Sequence, residues 1–539
     1  VGSNALGGVR MSEEIGKNEF TPFGNPDGSR ADIEEISGRF VTFGGGIWGG
    51  LATRNNDLTA RVIVGRKGSG KTVYLRRLQA FASDQDDLYA DNIQQDLPTT
   101  AEIIKFCQFF SENILTEKWM LLWRRAILRS IISHLMHNPR LKEKVSQKKL
   151  ERLIETNGSL IREFNAPISV YSQVNEIIYD HEYKTGHKIT GFLEDPRWHE
   201  IESIVADMIW DCPPICFYID AVDEEFAHAP IYWHRCQKGL FYTTMRLLRD
   251  SRLGGRLHIF ICIRDIVYSA VLRSEHATRY IKEPHIRILN WNKESIRYFL
   301  QAKLNMLDNE LFVGNVTDGK NVTSWLGIRN IHNDIRDIDE PTEQYLLRHT
   351  RLLPRDIIVL GNSLCEEIRK FKTFEKEHTI EDIIRNTVSK MANTFGNEQL
   401  KICSNQIASN QTPKDAALHE YSEFYTANEE YTRGITEDLK KLIRHIGKDL
   451  FSRSELRDAR EQAHKLFGDD VHPFSVLWQN GLIGYLESGA SAKKDKINFY
   501  SEASMHDFRI PFEKDNYVFH SCLIDSAGIA AIGKQPWGY

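Results

Sequence analysis

The sequence predicts an α/β protein: a parallel sheet flanked by helices, then a helical segment, then a smaller C-terminal domain of helices and strands. Three observations carry this. The β-branched run Val62-Ile63-Val64 leads through a glycine-rich turn into Val73–Ala82, whose apolar residues have helical spacing. Two more short apolar runs, Cys216–Ile219 and Leu257–Ile263, are continuous, as strands buried on both faces are, and each ends in charged residues. From Asn290 the spacing turns helical, and the last hundred or so residues read as three helices followed by strands.

Bulk properties bound the answer. At 539 residues the chain exceeds one ordinary core, and its length suggests about three or four domains. A content of 41% hydrophobic and 27% charged residues is the balance of a globular protein, and the net charge of −5 argues against a surface that coats nucleic acid as a whole. The eight cysteines are scattered without C-x-x-C or zinc spacing, so reduced thiols in a cytoplasmic protein are expected. No apolar stretch reaches the length of a membrane span, no signal-peptide pattern is present, and no membrane partner is expected. Val1–Arg10 precede Met11 and are left out of the fold reading.

In order, residues 1–58 form an extension rich in Gly, Asn and Asp, with a short helix expected at Asp32–Phe43. Residues 59–290 are the sheet-bearing core. A second strand is expected around Leu88-Tyr89-Ala90, and 100–153 has helical spacing from Ile103 to Leu135 and beyond. The stretch 154–200 is polar and predicts an irregular insertion with a helix or two, followed by a helix at Trp198–Met208. Pro284–Leu289 reads as the last strand. Residues 291–392 predict a helical lid, with helices at Lys293–Leu307 and Glu343–His349, a turn-rich insertion over 312–339, and a helix opened by Pro354 in its first turn. Residues 393–429, rich in Asn, Gln and Ser, predict a linker. In 430–539, helices at Thr436–Ile446, Ser454–Leu466 and Phe474–Asn480 precede strands at Ile483–Leu486, Ile497–Tyr500 and Tyr517–His520, which is winged-helix order.

The chemistry concentrates where the first strand ends. Gly65-Arg66-Lys67-Gly68-Ser69-Gly70-Lys71-Thr72 matches G-x-x-x-x-G-K-[ST] at every fixed position, between a strand and a helix. The glycines let backbone N–H groups turn inward around a phosphate, and the helix N-terminus adds unsatisfied donors and the positive end of its dipole. Lys71 is expected to reach the β- and γ-phosphates and Thr72 to place its hydroxyl on Mg²⁺. Asp220 ends the apolar run Cys216–Ile219, where a carboxylate sits beside that metal, and Asp223 and Glu224 follow as candidates for activating water. Arg264 ends the strand Leu257–Ile263 on the same sheet edge and is expected near the γ-phosphate. Ile47, Trp48 and Leu51 are candidates for lying over a bound base. Asn292-Lys293-Glu294-Ser295 lacks the Asp of a GTPase N-K-x-D, no L-S-G-G-Q stretch is present, and no nuclease carboxylate set, Ser/His/Asp set or zinc cluster stands out.

Together these residues resemble the additional-strand, catalytic-glutamate class of P-loop ATPases. Within it they resemble the STAND and origin-initiator-like branches, including the FunZ-like bacterial ATPases, some of which sit near phage-defence genes. Gly65–Thr72 corresponds to Walker A and Tyr218–Glu224 to Walker B, which departs from the AAA+ form because no Glu directly follows Asp220. Leu353-Pro354-Arg355-Asp356 resembles the lid motif in which Pro approaches adenine and Arg approaches phosphate, and His520 matches a C-terminal-domain His that approaches the β-phosphate. The resemblance implies ATP and Mg²⁺ as ligands and a slow ATPase switch whose ATP or ADP state controls self-assembly or an effector protein. A DNA-binding ATPase of initiator or transposition-helper type and a non-hydrolysing ATP-binding scaffold remain the alternatives. The third C-terminal helix would offer His472, Ser475, Gln479 and Asn480 but no Lys or Arg, and DNA affinity needs cations; Lys493, Lys494 and Lys496 keep DNA open.

Overall fold

A computed structural model describes residues 20–30, 61–94, 106–107, 109–161, 164–182, 186–220, 230–253, 255–273, 277–317, 319–334, 336–373, 378–411, 421–468, 471–487, 496–500 and 509–532. Among them, five strands form one parallel sheet: β1 (Val62–Gly65), β2 (Tyr89–Gln94), β3 (Ile215–Ile219), β4 (Leu257–Arg264) and β5 (Ile286–Ile288). Their order is β2-β3-β4-β1-β5, so β4 lies between β1 and β3. The register pairs Val62 with Ile261, Gly65 with Arg264, and Ile219 with Ile261.

Side chains alternate across the sheet because a strand has a period of two. Val62, Val64, Phe217, Ile219, Ile261 and Ile263 point to one face. There they meet Trp123 and Ile127 of α2 (Glu112–His137) and Phe241 of a long helix at Pro230–Arg249. Ile63, Cys216, Tyr218, Phe260 and Cys262 point to the other face, against Tyr74, Leu75 and Leu78 of α1 (Lys71–Ser83). The continuous apolar runs seen in the sequence are therefore strands covered on both sides.

The stretch expected to be irregular contributes more to the core than its composition suggests. After α3 (Gln147–Asn157) it contains α4 (Val170–Glu182) and α5 (Gly186–Leu193), and then α6 (Arg197–Ile209) leads to β3. Val170, Tyr171, Val174, Ile177 and Ile178 are fully buried, a helical stripe whose outer face is polar. The helix Pro230–Arg249, now α7, follows β3, and α8 (Asp265–Leu272) follows β4 directly.

The next region holds α9 (Lys293–Met306), a short helix Val322–Leu326, α10 (Thr342–Arg348) and α11 (Pro354–Thr373). The turn-rich insertion is ordered rather than loose. Asn321 and Ser324 form a reciprocal capping box, and β6 (Asn330–Asn333) pairs antiparallel with β7 (Ile338–Pro341).

The expected linker is different in the structure. Residues 393–411 are the second half of α12 (Ile380–Gln411), a single 32-residue helix. Many of its polar residues are exposed or half-buried, while Phe395, Leu400, Cys403 and Ile407 are buried along with Gln399 and Ser404. Ile384 and Val388 of the same helix belong to the core of the preceding region, and Ala392 onward to the C-terminal core. The C-terminal part adds α13 (Tyr421–Ile446), β8 (Leu450–Ser452), α14 (Arg453–Phe467), α15 (Pro473–Gln479), β9 (Ile483–Glu487), β10 (Lys496–Phe499), β11 (Asn516–Phe519) and α16 (Cys522–Ala527). Its four strands form an antiparallel sheet in the order β10-β9-β11-β8. No helix among the described residues is long and apolar enough to cross a membrane.

Candidate functional site

The glycine loop lies at the C-terminal edge of the parallel sheet, between β1 and α1. Gly68 and Gly70 adopt φ of 87° and 89°, the left-handed region that L side chains avoid. Gly70 caps α1 without any side-chain hydrogen bond to the helix end. The first turn of α1 thus presents backbone donors with no side-chain cap beside a loop bent inward. Ser69 N–H donates to the Arg66 carbonyl at 3.2 Å, closing the loop on itself. Lys71 is buried, and its Nζ donates to the same carbonyl at 3.1 Å.

Other elements converge on this loop. Pairing of Gly65 with Arg264 sets Arg264 beside its start. The Arg66 guanidinium lies 4.0 Å from the buried Asp265 carboxylate and 5.1 Å from the centre of the Tyr500 ring, and it donates to the Tyr500 carbonyl. Trp291, just after β5, donates its indole N–H to the Ser69 carbonyl at 2.9 Å. Arg355 N–H donates to the Gly68 carbonyl at 3.3 Å, and a Cβ on Gly68 would stand 3.1 Å from the Arg355 Cβ. The start of α11, with buried Pro354, therefore rests on the loop.

Residues 20–30 add a strap that the sequence reading did not find. Phe23 is buried against Gly361 of α11, and Asn362 exchanges hydrogen bonds with Phe23 N–H and the Gly24 carbonyl. At its other end Arg76 of α1 donates to the carbonyls of Gly28 and Ser29 at 2.8 and 2.9 Å. The strap thus runs from α11 to α1. Burial opposes ionisation of Asp27 within it, but hydrogen bonds from Ser29, together with Arg30 and Arg355, outweigh this and hold its carboxyl below the usual range. Ile47, Trp48 and Leu51, and the helix expected at 32–43, lie outside the described residues.

Asp220 stands just past the end of β3, with β4 between its strand and β1. Its carbonyl accepts a hydrogen bond of 2.8 Å from the Tyr171 hydroxyl. Asp223 and Glu224 lie outside the described residues.

His520 lies just past β11. It is buried between β11 and α16, its Nε2 donates to the Thr350 carbonyl at 3.1 Å, and its Nδ1 accepts from Cys522 N–H at 3.2 Å. Burial, with Arg351 nearby, pushes its pKa down to about 4. Both ring nitrogens hold protein partners, so this neutral imidazole joins α10's exit to the C-terminal sheet. In the C-terminal helix His472 is exposed, while Ser475 is buried. Gln479 and Asn480 hydrogen-bond Gln406 of α12, and Phe474 through Trp478 are buried.

The loop collects Arg66, Lys67, Lys71, Arg264 and Arg355 within the loop itself or on elements touching it, so an anionic group suits it. Trp291, Tyr171 and Tyr500 were missed because no motif marks them. For Trp291 one signal was present, its position directly after the last strand and so on the loop's edge of the sheet. Neither a family model nor any curated protein matches the chain.

Proposed function

We propose that the protein binds ATP with Mg²⁺ in the loop Gly65–Thr72 and hydrolyses it slowly as a molecular switch. The observation that carries this is the loop itself: a buried strand, two glycines at positive φ, and a helix start without a side-chain cap, with Lys71 and Thr72 at its first positions. Asp220, at the end of β3, is the carboxylate for the metal beside Thr72. A strand between β1 and β3 supports the additional-strand class of P-loop ATPases, and three helices with an antiparallel sheet support a winged-helix domain at the C-terminus. In this reading 291–392 is the lid, and Pro354 and Arg355 meet base and phosphate. Nucleotide state then sets how the core packs on the lid and C-terminal domain, and through that self-assembly or an effector, in a bacterial STAND-like setting that includes anti-phage defence. Burial of α15, with Gln479 and Asn480 tied to α12, supports a protein-facing C-terminal domain over a DNA reader.

The test is a calorimetric titration with ATP and Mg²⁺. Lys71→Ala is expected to abolish binding while the circular dichroism spectrum stays that of the parent, because it removes the point charge between the phosphates. Asp220→Asn is expected to bind ATP without Mg²⁺ as the parent does and to lose the Mg²⁺-dependent gain. Unchanged affinity in Lys71→Ala would remove the assignment.

A further inference from the structure

The helices inserted between β2 and β3 reach the candidate site through Tyr171. Tyr171, on the inward stripe of α4, is wholly buried, and its hydroxyl donates to the main-chain carbonyl of Asp220 at 2.8 Å. A buried phenol needs a hydrogen-bond partner, but many carbonyls of the core could have served. This one lies directly beyond the last residue of β3, where the β3–β4 pairing stops at Ile219 and Ile261. The ring of Tyr171 is itself held edge-on by Trp123 of α2, with centroids 5.7 Å apart and planes at 66°. Trp123 in turn donates its indole N–H to the Cys236 carbonyl of α7 at 3.1 Å. One aromatic pair therefore ties the end of β3 to the helix that follows it.

We propose that Tyr171 is a positioning residue for Asp220: by fixing the carbonyl it fixes the peptide that carries the carboxylate, and so the direction from which that carboxylate meets the metal. The inference rests on the reading of Asp220 as the Mg²⁺-side carboxylate. The pairings of β3 with β2 and with β4 both stop at Ile219, so a donor on the exit carbonyl restricts how far the next residue can rotate. Removing that donor takes this one hydrogen bond from the carbonyl, with the ring still in place. The insertion is then a brace for the catalytic edge of the sheet and not a separate appendage.

The test uses Tyr171→Phe in the full chain, which keeps the ring against Trp123 and deletes only the hydroxyl. The Mg²⁺ concentration giving half-maximal ATP turnover is expected to rise severalfold and turnover to fall roughly tenfold, the scale of a small misplacement of a reacting group. Affinity for ATP without metal is expected to stay within about twofold, since Lys71 and the loop are untouched. Amide exchange at Tyr218–Asp220 is expected to speed up roughly five- to tenfold, the scale of one lost hydrogen bond, while exchange in β1 stays as in the parent. Parental Mg²⁺ dependence in an active Tyr171→Phe enzyme would overturn the inference. A parent protein with no Mg²⁺-dependent ATP binding would instead overturn the ATPase reading. In that case the exchange experiment still decides: unchanged exchange at Tyr218–Asp220 means that Tyr171 does not hold the end of the strand.

Discussion

His520 is held in one tautomer, and that has a consequence in pH. Its Nε2 carries the proton toward the Thr350 carbonyl, and its Nδ1 accepts from Cys522 N–H and lies 3.1 Å from the Cys522 Sγ, so a second proton would give up the bond from Cys522 N–H and meet only the weak acceptor sulfur. Burial first, then Arg351, pushes its pKa down to about 4. His258 is driven the same way, to about 3, by burial and then by Arg61, whose guanidinium lies 2.8 Å from its Nδ1. An unfolded chain would protonate both near pH 6.5. The unfolded state therefore takes up protons first as the pH falls, and stability present above about pH 6.5 is lost progressively toward pH 4. Urea midpoints are expected to fall steadily between pH 7 and pH 5, and His520→Asn is expected to flatten that slope. Parallel curves for parent and variant would mean that His520 does not resist protonation in the fold.

At the scale of elements, glycine contacts separate two kinds of helix. Gly396 sits in α12 where α16 crosses it, and a Cβ there would clash with the Cys522 carbonyl and with Ser526. Gly434, in α13, has nothing within 4 Å of such a Cβ. Replacing a helical Gly by Ala gains up to about 1 kcal/mol in propensity. Forcing a methyl into a filled contact costs about 1–3 kcal/mol. Gly396→Ala is therefore expected to lower the free energy of unfolding and Gly434→Ala to raise it, both read from urea denaturation. A stabilised Gly396→Ala would show that α16 can move off α12 freely.

The same elements explain what could be read from the sequence. β1, β3 and β4 were legible because burial on both faces forces continuous apolar runs, and the loop at 65–72 was legible because positive φ demands glycine at fixed places. The helix 380–411 was not: Asn393, Asn397, Asn405 and Gln406 outweighed the period of Leu400, Cys403 and Ile407 in the composition, although that period was present. The three-residue strand β8 is too short to leave a pattern. The contacts that complete the candidate site join residues 49, 222 and 434 positions apart, namely Tyr171 with Asp220, Ser69 with Trp291, and Arg66 with Tyr500. Each depends on which segments pack together, and local spacing carries no record of that.

At the scale of the whole molecule, the region 291–392, proposed above as the lid, and the C-terminal domain share one body. α12 contributes to both of their cores, His520 bonds the Thr350 carbonyl, and Ser389 donates to Asp525 at 2.6 Å. The β6–β7 hairpin adds a buried ion pair. Just past β6, Arg336 reaches across to the carboxylate of Asp449 and to the Ile532 carbonyl, and both members of the ion pair are 2% exposed. Asp449 also accepts from Ile532 N–H at 2.7 Å, so its oxygens are occupied by partners that fix Arg336 in place. A buried pair of this kind gains little over a well-packed apolar pair, because desolvation offsets the attraction, but losing one partner strands a charge and costs about 3–5 kcal/mol. Asp449→Ala is therefore expected to destabilise strongly in urea, whereas the double replacement Arg336→Met with Asp449→Leu is expected to recover most of the loss. Additive losses in that cycle would mean that the two side chains do not act as a pair. If the tie holds, any rearrangement that follows the glycine loop must occur where the core meets this body, at Arg66 with Tyr500, Gly68 with Arg355, and Ser69 with Trp291, and not between the lid and the C-terminal domain. Labels on the lid and the C-terminal domain are then expected to keep one distance with and without ATP, while the distance from either label to the core changes. A lid-to-C-terminal distance that shifts on adding ATP would place the hinge inside the body and contradict the role of the Arg336–Asp449 pair.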